Sequence, residues 1–260
     1  MTQLFGLICN QPQRVAQALE PVRDLLVSPA PIARWGLGYV QSGEVLLSRT
    51  PKSTEVPVDF YGVLEQLPSD YVIGHACRAD GLAGNANTQP FRFRRWMFAM
   101  DAASDRFLEA TPYMLEHVPE FLRRNIKGKT AAEHVFHVFL SFLHDAGSLD
   151  NHNLDPADAR RALRDAVALA ANACTRAGVD AKMGNIVTSN SRSMLAARLD
   201  GAVWMRRLKV PVAKRETETF KGVLAVSCTD DPGEGFEEIP PRSILAVARD
   251  IRTDIASMDD

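Results

Sequence analysis

The chain has 260 residues, enough for one large domain or two small ones. With 46% hydrophobic and 24% charged residues it has an ordinary globular makeup, which excludes collagen-like, low-complexity and wholly disordered proteins. Thirty Lys and Arg against 32 Asp and Glu leave a formal net charge of -2 and a pI near 6.3, so no basic field draws the chain to nucleic acid or anionic lipid.

The start, Met1-Thr2-Gln3-Leu4-Phe5-Gly6, has neither the basic head nor the apolar run of a signal peptide. No stretch approaches the roughly 18 apolar residues of a membrane span, so a cytoplasmic protein without membrane contact is expected. Residues 4–9 form a short apolar run suited to a buried strand, and residues 13–26 place Val15, Leu19, Val22, Leu25 and Leu26 at helical spacing. Residues 35–40 and 44–48 read as the arms of a β-hairpin turning at Gln41-Ser42-Gly43. Further buried strands are predicted at 71–78 and 95–100, on either side of the turn-rich segment 80–89.

Helical periodicity then runs over 130–143 and again over 155–177. The second of these has Asp155 as N-cap, Pro156 at the first helical position and Gly178 as C-terminal cap. Strand patterns return at 185–189, 193–198, 203–209, Gly222–Ser227 and Ser243–Val247, with 233–241 as a loop. Sheet, helices and sheet again predict an α+β fold on antiparallel sheets, because parallel strands would need a helix between most of them. The polar loop 147–153 is the only seam and is too short for a tether, so residues 1–260 are expected to form one domain.

Cys9, Cys77, Cys174 and Cys228 contain no Cys-x-x-Cys pair, which argues against a disulfide scaffold or a zinc knuckle and for buried thiols. Glu133 and His137 stand four apart, near His134 and His144, a spacing that can hold a metal. The interleaved Phe136, Val138, Phe139 and Phe142 favour core packing instead, and no metal or other cofactor is expected. Residues 91–95, Phe-Arg-Phe-Arg-Arg, alternate aromatic and basic groups, and Arg206, Arg207, Lys209, Lys214 and Arg215 form a second basic cluster. A half-exposed strand explains the alternation without nucleic acid. The acidic segment 229–233 lacks EF-hand ligand spacing and reads as a capped turn.

Eight short phrases fall in the order found in class II glutamine amidotransferases of the stand-alone bacterial kind. Gln3-Leu4-Phe5-Gly6-Leu7 resembles that family's opening strand, Trp35-Gly36-Leu37-Gly38 its Trp-Gly-x-Gly hairpin, and Gly74-His75 the start of its His-x-Arg strand. Asn87-Thr88-Gln89-Pro90-Phe91 resembles Asn-Thr-His-Pro-Phe, and Trp96-Met97-Phe98-Ala99 the strand leading to His-Asn-Gly. Thr130-Ala131-Ala132-Glu133 resembles Thr-Asp-Ser-Glu, residues 185–191 the late Asn-x-x-x-Ser-Asp-Gly strand, and Ile239-Pro240-Pro241 a loop near the end. The resemblance implies an N-terminal-nucleophile hydrolase fold, a four-layer αββα sandwich of two antiparallel sheets. It also implies glutamine hydrolysis by a cysteine exposed when Met1 is removed, whose own α-amino group, with a reference pKa of about 8, acts as base.

Carried over residue by residue, the family's nucleophile falls on Thr2, its substrate arginine on Cys77, its oxyanion Asn-Gly on Asp101-Ala102 and its substrate aspartate on Ala131. The histidines of the supporting shell fall on Gln89 and Met100. Arg78 adjoins Cys77, but strand neighbours point to opposite faces, so a stand-in role requires a bulge or a shifted alignment. Losing both charged grips on glutamine removes about 3–6 kcal/mol, or roughly 10²–10⁴ in affinity. Losing one oxyanion donor removes roughly 10²–10³ in rate, and an ionised Asp101 accepts hydrogen bonds only. Threonine does serve as an N-terminal nucleophile. Two readings follow: a binding, regulatory or scaffolding protein whose pocket is open to a protein partner or another small ligand, or an amidohydrolase using Thr2 on a substrate other than glutamine.

Overall fold

The computed structural model describes residues 3–78, 82–101, 103–180, 182–210, 219–228 and 230–259. Strand β1 (Gln3–Cys9) is buried from Leu4 onward, because its alternating side chains pack on both faces. The helix expected over 13–26 is confined to α1 (Val15–Leu19), with 3-10 turns before and after it. Pro21 explains the break, since it lacks the N–H that a continuing α-helix needs. The short strand β2 (Val27–Ser28) precedes the predicted hairpin of β3 (Arg34–Gln41) and β4 (Glu44–Thr50). Ser42 and Gly43 have φ of 52° and 81°, the double left-handed turn that matches the strand twist.

The short β5 (Val58–Asp59) leads into α2 (Phe60–Gln66), where the Asp59 carboxylate accepts from the Gly62 N–H, and β6 (Tyr71–Cys77) follows. The chain continues through β7 (Phe91–Phe93), β8 (Trp96–Met100), α3 (Thr111–Leu115) and α4 (Glu120–Arg123). Next comes α5 (Ala131–Asp145), whose start is fixed twice. Thr130 Oγ1 accepts from the Glu133 N–H, and the Glu133 carboxylate accepts from the N–H groups of Lys127 and Gly128 at 2.8 and 2.6 Å. Helix α6 (Pro156–Arg176) starts on the Asp155 cap and stops at Gly178, φ 68°, as predicted.

The remaining strands are β9 (Ile186–Ser189), β10 (Met194–Arg198), β11 (Val203–Leu208), β12 (Gly222–Ser227), β13 (Glu237–Glu238), β14 (Ser243–Val247) and β15 (Thr253–Ser257). The segment 233–241, expected as a loop, thus contributes a short edge strand that pairs with β11. Among the described residues every pairing between these strands is antiparallel. A seven-stranded sheet runs β13-β11-β12-β1-β6-β3-β4, a six-stranded sheet runs β15-β14-β10-β9-β8-β7, and β2 pairs with β5.

Three apolar clusters follow from the strand alternation. Leu4 and Ile8 join Met97, Val187, Met194 and Leu245 in a cluster fed by both large sheets. Phe5 and Leu7, on the other face of β1, pack with residues of α1 and α2. Phe98 and Leu195 pack with α3, α5 and α6. Gly6 lets the two sheets approach, since a Cβ there would lie 2.5 Å from Val187 Cγ1. Gly74 has a similar role under Phe5: an added Cβ would lie 2.0 Å from Phe5 Cε1, and that ring is held edge-on to Phe60. Gly74→Ala is therefore expected to lower unfolding free energy by about 1–3 kcal/mol in urea denaturation, and a neutral result would mean that the Phe5 ring can step aside. Among the described residues no helix is long and apolar enough to cross a membrane.

Candidate functional site

The two large sheets meet at the end where β1 begins and β8 and β12 finish. Met100 and Ile186 are paired across β8 and β9, and the next hydrogen bond runs from the Asp101 N–H to the Asn185 carbonyl, 2.8 Å. Gln89 sets the end of β8: its amide donates to the Met100 carbonyl at 2.9 Å and accepts from the Met100 N–H at 2.7 Å. The same Gln89 amide nitrogen lies 3.3 Å from His75 Nε2, which must then act as acceptor. Burial, helped by nearby Arg34, lowers the His75 pKa to about 3, so the ring is neutral and able to accept.

Asp101 is thereby delivered to a hydrogen-bond chain that bridges both sheets. Asn185 Nδ2 donates to Ser227 Oγ at 3.0 Å, and Ser227 Oγ donates to Asp101 Oδ2 at 2.5 Å. Asn185 is oriented by the N–H groups of Leu199 and Asp200, which donate to its Oδ1 at 2.8 and 3.1 Å. Gly184 is needed for this approach, because a Cβ there would lie 2.6 Å from the Asp101 carbonyl carbon. Burial raises the Asp101 pKa to about 7, with the hydrogen bonds from Ser227 and Asn185 opposing it. Its other oxygen, Oδ1, is enclosed and has no hydrogen-bond partner among the described residues.

Asp101 and Ser227 lie on the wall of a cavity of about 470 Å³. Gln3, Ser28, Arg78 and Cys228 share that wall, as do Asp24, Asp200, Asp230 and Asp231. Counting Asp101, the described wall carries five aspartates against one arginine. An ordinary carboxylate-bearing ligand thus meets a predominantly negative surface. Cys228 is half-buried on this wall rather than enclosed, unlike the other three cysteines, and burial followed by Asp230 and Asp231 pushes its thiol up to about 11. It is a thiol rather than a thiolate near neutral pH.

The predicted site residues are distributed unevenly about this cavity. Thr2 and Ala102 lie outside the described residues. Cys77 is buried, registered opposite Arg34, and absent from the wall. Ala131 opens α5 and packs against the helical cluster, also away from the wall. Arg78 differs from the sequence expectation. Strand β6 ends at Cys77, so strand alternation does not govern the next residue; Arg78 turns onto the cavity wall and its Nη2 donates to the Pro29 carbonyl at 2.9 Å. Ser227 and Asn185 had no sequence signal as partners of Asp101, because only the register of β12 and β9 brings them there.

The other constellations resolve locally. His137 Nδ1 is bonded to the Glu133 carbonyl at 2.8 Å, while the Glu133 carboxylate turns to Lys127 and Gly128. Among the described residues no group of three His, Cys, Asp or Glu side chains is placed to hold a metal. Arg206 stacks on Phe236 and Arg207 pairs with Glu237, whereas Lys214 and Arg215 lie outside the described residues. Asp231 accepts from the Gly233 N–H at 2.8 Å, a capped turn as expected.

The chain has a class II glutamine amidotransferase-like fold. A solved glutamine aminotransferase class-II domain protein from Silicibacter pomeroyi matches it with a TM-score of 0.65 and 17% identity, over 98% of each chain. A predicted glutamine amidotransferase from Pseudomonas aeruginosa PA01 matches with a TM-score of 0.55 and 14% identity, over 98% of this chain and 99% of that one. No protein-family model and no curated protein sequence matches the chain.

Proposed function

We propose that residues 1–260 form one class II glutamine amidotransferase-like domain that has lost glutaminase chemistry and acts as a binding, regulatory or scaffolding protein. The three apolar clusters support the finer architectural reading, a four-layer αββα sandwich of N-terminal-nucleophile hydrolase type. The observation that carries the functional reading is Asp101. A carboxylate occupies the position that the resemblance gives to an oxyanion-donating asparagine, and it is fixed there by Ser227 rather than left free to move away. Below its raised pKa it is neutral; above it, a negative charge would face the developing oxyanion.

The same wall is unsuited to the substrate itself. Arg78 is the single described cation there, and it already donates to Pro29, while Ala131 and Cys77 supply neither an acid nor a base for the glutamine head group. Isothermal titration of the purified chain with glutamine is expected to reach no saturation below about 10 mM, because the α-carboxylate faces a predominantly negative wall whose one described cation, Arg78, already donates to Pro29. A dissociation constant in the usual micromolar to sub-millimolar enzyme range would remove this reading. The occupant proposed instead is a different small ligand or a protein surface.

A further inference from the structure

The opposite end of the two sheets carries a second cavity, of about 330 Å³, that the site above does not use. It lies where β3 ends and β6 and β10 begin. Its charged side chains are Arg95, Arg192, Arg249 and Asp70. The arginines come from separate loops, just before β8, just before β10 and just after β14, and the six-stranded sheet sets those loops side by side. The loop carrying Arg192 is rigidly built: Asn190 Oδ1 accepts from the N–H groups of Arg192 and Ser193 at 3.0 and 2.8 Å.

Most surface arginines of this protein are matched to acids, as in Arg176 with Glu116 or Arg242 with Asp259. Among the described residues, the guanidinium groups of Arg95, Arg192 and Arg249 form no hydrogen bond or ion pair, and Asp70 is the only carboxylate on this wall. Three cations against one anion leave a surplus of two positive charges on the wall of one hollow. Such a surplus is relieved by a bound dianion.

A second observation points to a ligand. Tyr71 is only 5% exposed and lies on the wall, yet its hydroxyl has no hydrogen-bond partner among the described residues and is not sealed off. Burial raises its pKa, so it remains a hydroxyl donor, and Arg192 and Arg249 are close enough to act on it electrostatically. A neighbouring hollow of about 580 Å³ shares Arg192 and Arg249, which leaves room for the organic remainder of a ligand. Together these dimensions fall in the range of small-molecule sites.

We propose that this cavity binds a phosphate monoester, with Arg95, Arg192 and Arg249 holding the dianion and the Tyr71 hydroxyl donating to one of its oxygens. A monoester near pH 8 carries the two negative charges that the wall lacks, whereas a carboxylate or a phosphodiester carries one. The proposal is independent of the loss of glutaminase chemistry, because it concerns the other end of the sheets.

The test is calorimetric titration of the purified chain at pH 8 and constant ionic strength with inorganic phosphate, glycerol 3-phosphate, dimethyl phosphate and acetate. The first two are expected to saturate, about 10-fold or more tighter than the last two. Arg192→Gln and Arg249→Gln should each weaken phosphate binding about 10-fold or more, and Tyr71→Phe about 5-fold, with Tm unchanged. Arg207→Gln, on another surface and paired with Glu237, should leave binding as it is. Arg249 is exposed, so its variant folds even if Arg192→Gln does not. Absence of saturation, equal binding of acetate, or unchanged affinity in Arg249→Gln and Tyr71→Phe would overturn the proposal. So would a single-stranded oligonucleotide that binds tighter than glycerol 3-phosphate through the same arginines.

Discussion

Asp101→Asn stabilises the protein at pH 8 and leaves its stability nearly unchanged at pH 4. The carboxyl has an ordinary pKa of 3.8 and a folded value of about 7, raised by burial. Between those values the folded chain binds more protons than the unfolded chain, so unfolding free energy falls as pH rises through the window. Below about pH 4 both states are protonated and the group contributes no penalty. Above about pH 7 the folded carboxylate is ionised and the full penalty is present, with Oδ1 enclosed and unpartnered among the described residues. Asparagine keeps the acceptor for Ser227 and removes the charge. The expected gain at pH 8 is up to about 4 kcal/mol, from roughly 1.4 kcal/mol per unit of pKa difference. Urea denaturation of both proteins across pH 4–8 reads it directly. A difference that does not change with pH would mean that Asp101 titrates like an exposed aspartate.

Phe136→Ala should remove about 3–5 kcal/mol of stability, the range for deleting a large buried aromatic. Phe136 is fully buried on α5, stacked on Phe98 with ring centroids 5.1 Å apart and planes 20° from parallel. Phe98 belongs to β8, the strand that delivers Asp101, and Trp96 on the same face meets Phe139 edge-on at 5.0 Å. This aromatic row ties the helices to the six-stranded sheet. The substitution therefore opens a cavity directly behind the site strand. A lower urea midpoint with an unchanged m-value is the expected result. A loss below about 1 kcal/mol would show that the helical face repacks without Phe136.

Strands with strong local signals are legible in the sequence. The runs over 4–9, 71–78 and 95–100, the hairpin at Ser42-Gly43, and the strands Gly222–Ser227 and Ser243–Val247 all lie within a residue or two of their observed bounds. Helix α6 is marked by both of its caps. The segment 105–126 gives no such signal, because α3 and α4 are only 5 and 4 residues long and too short for a 3.6-residue period to declare itself. Over 13–26 the apolar spacing overstates the helix, because spacing alone does not register the missing N–H of Pro21.

The site is legible only in outline. The resemblance draws attention to Asp101, and the structure sets Asp101 in a cavity, but its partners, Ser227 at the end of β12 and Asn185 just before β9, lie more than eighty residues away in the chain. Arg78 departs from the face that strand alternation predicts, because β6 ends one residue before it. The arginines of the far cavity are hidden in a different way. Residues 91–95 read as one alternating strand, yet Arg95 alone of that run reaches the hollow, and Arg192 and Arg249 join it through strand order.

Ammonia release from glutamine, measured on protein whose N-terminal residue has been identified by intact mass, tests the central claim most directly. The expected result is no release above the uncatalysed background, whether the chain begins at Met1 or at Thr2. Turnover at about 1 s⁻¹ or faster, abolished by Thr2→Ala, would contradict it and establish a working glutaminase on this scaffold.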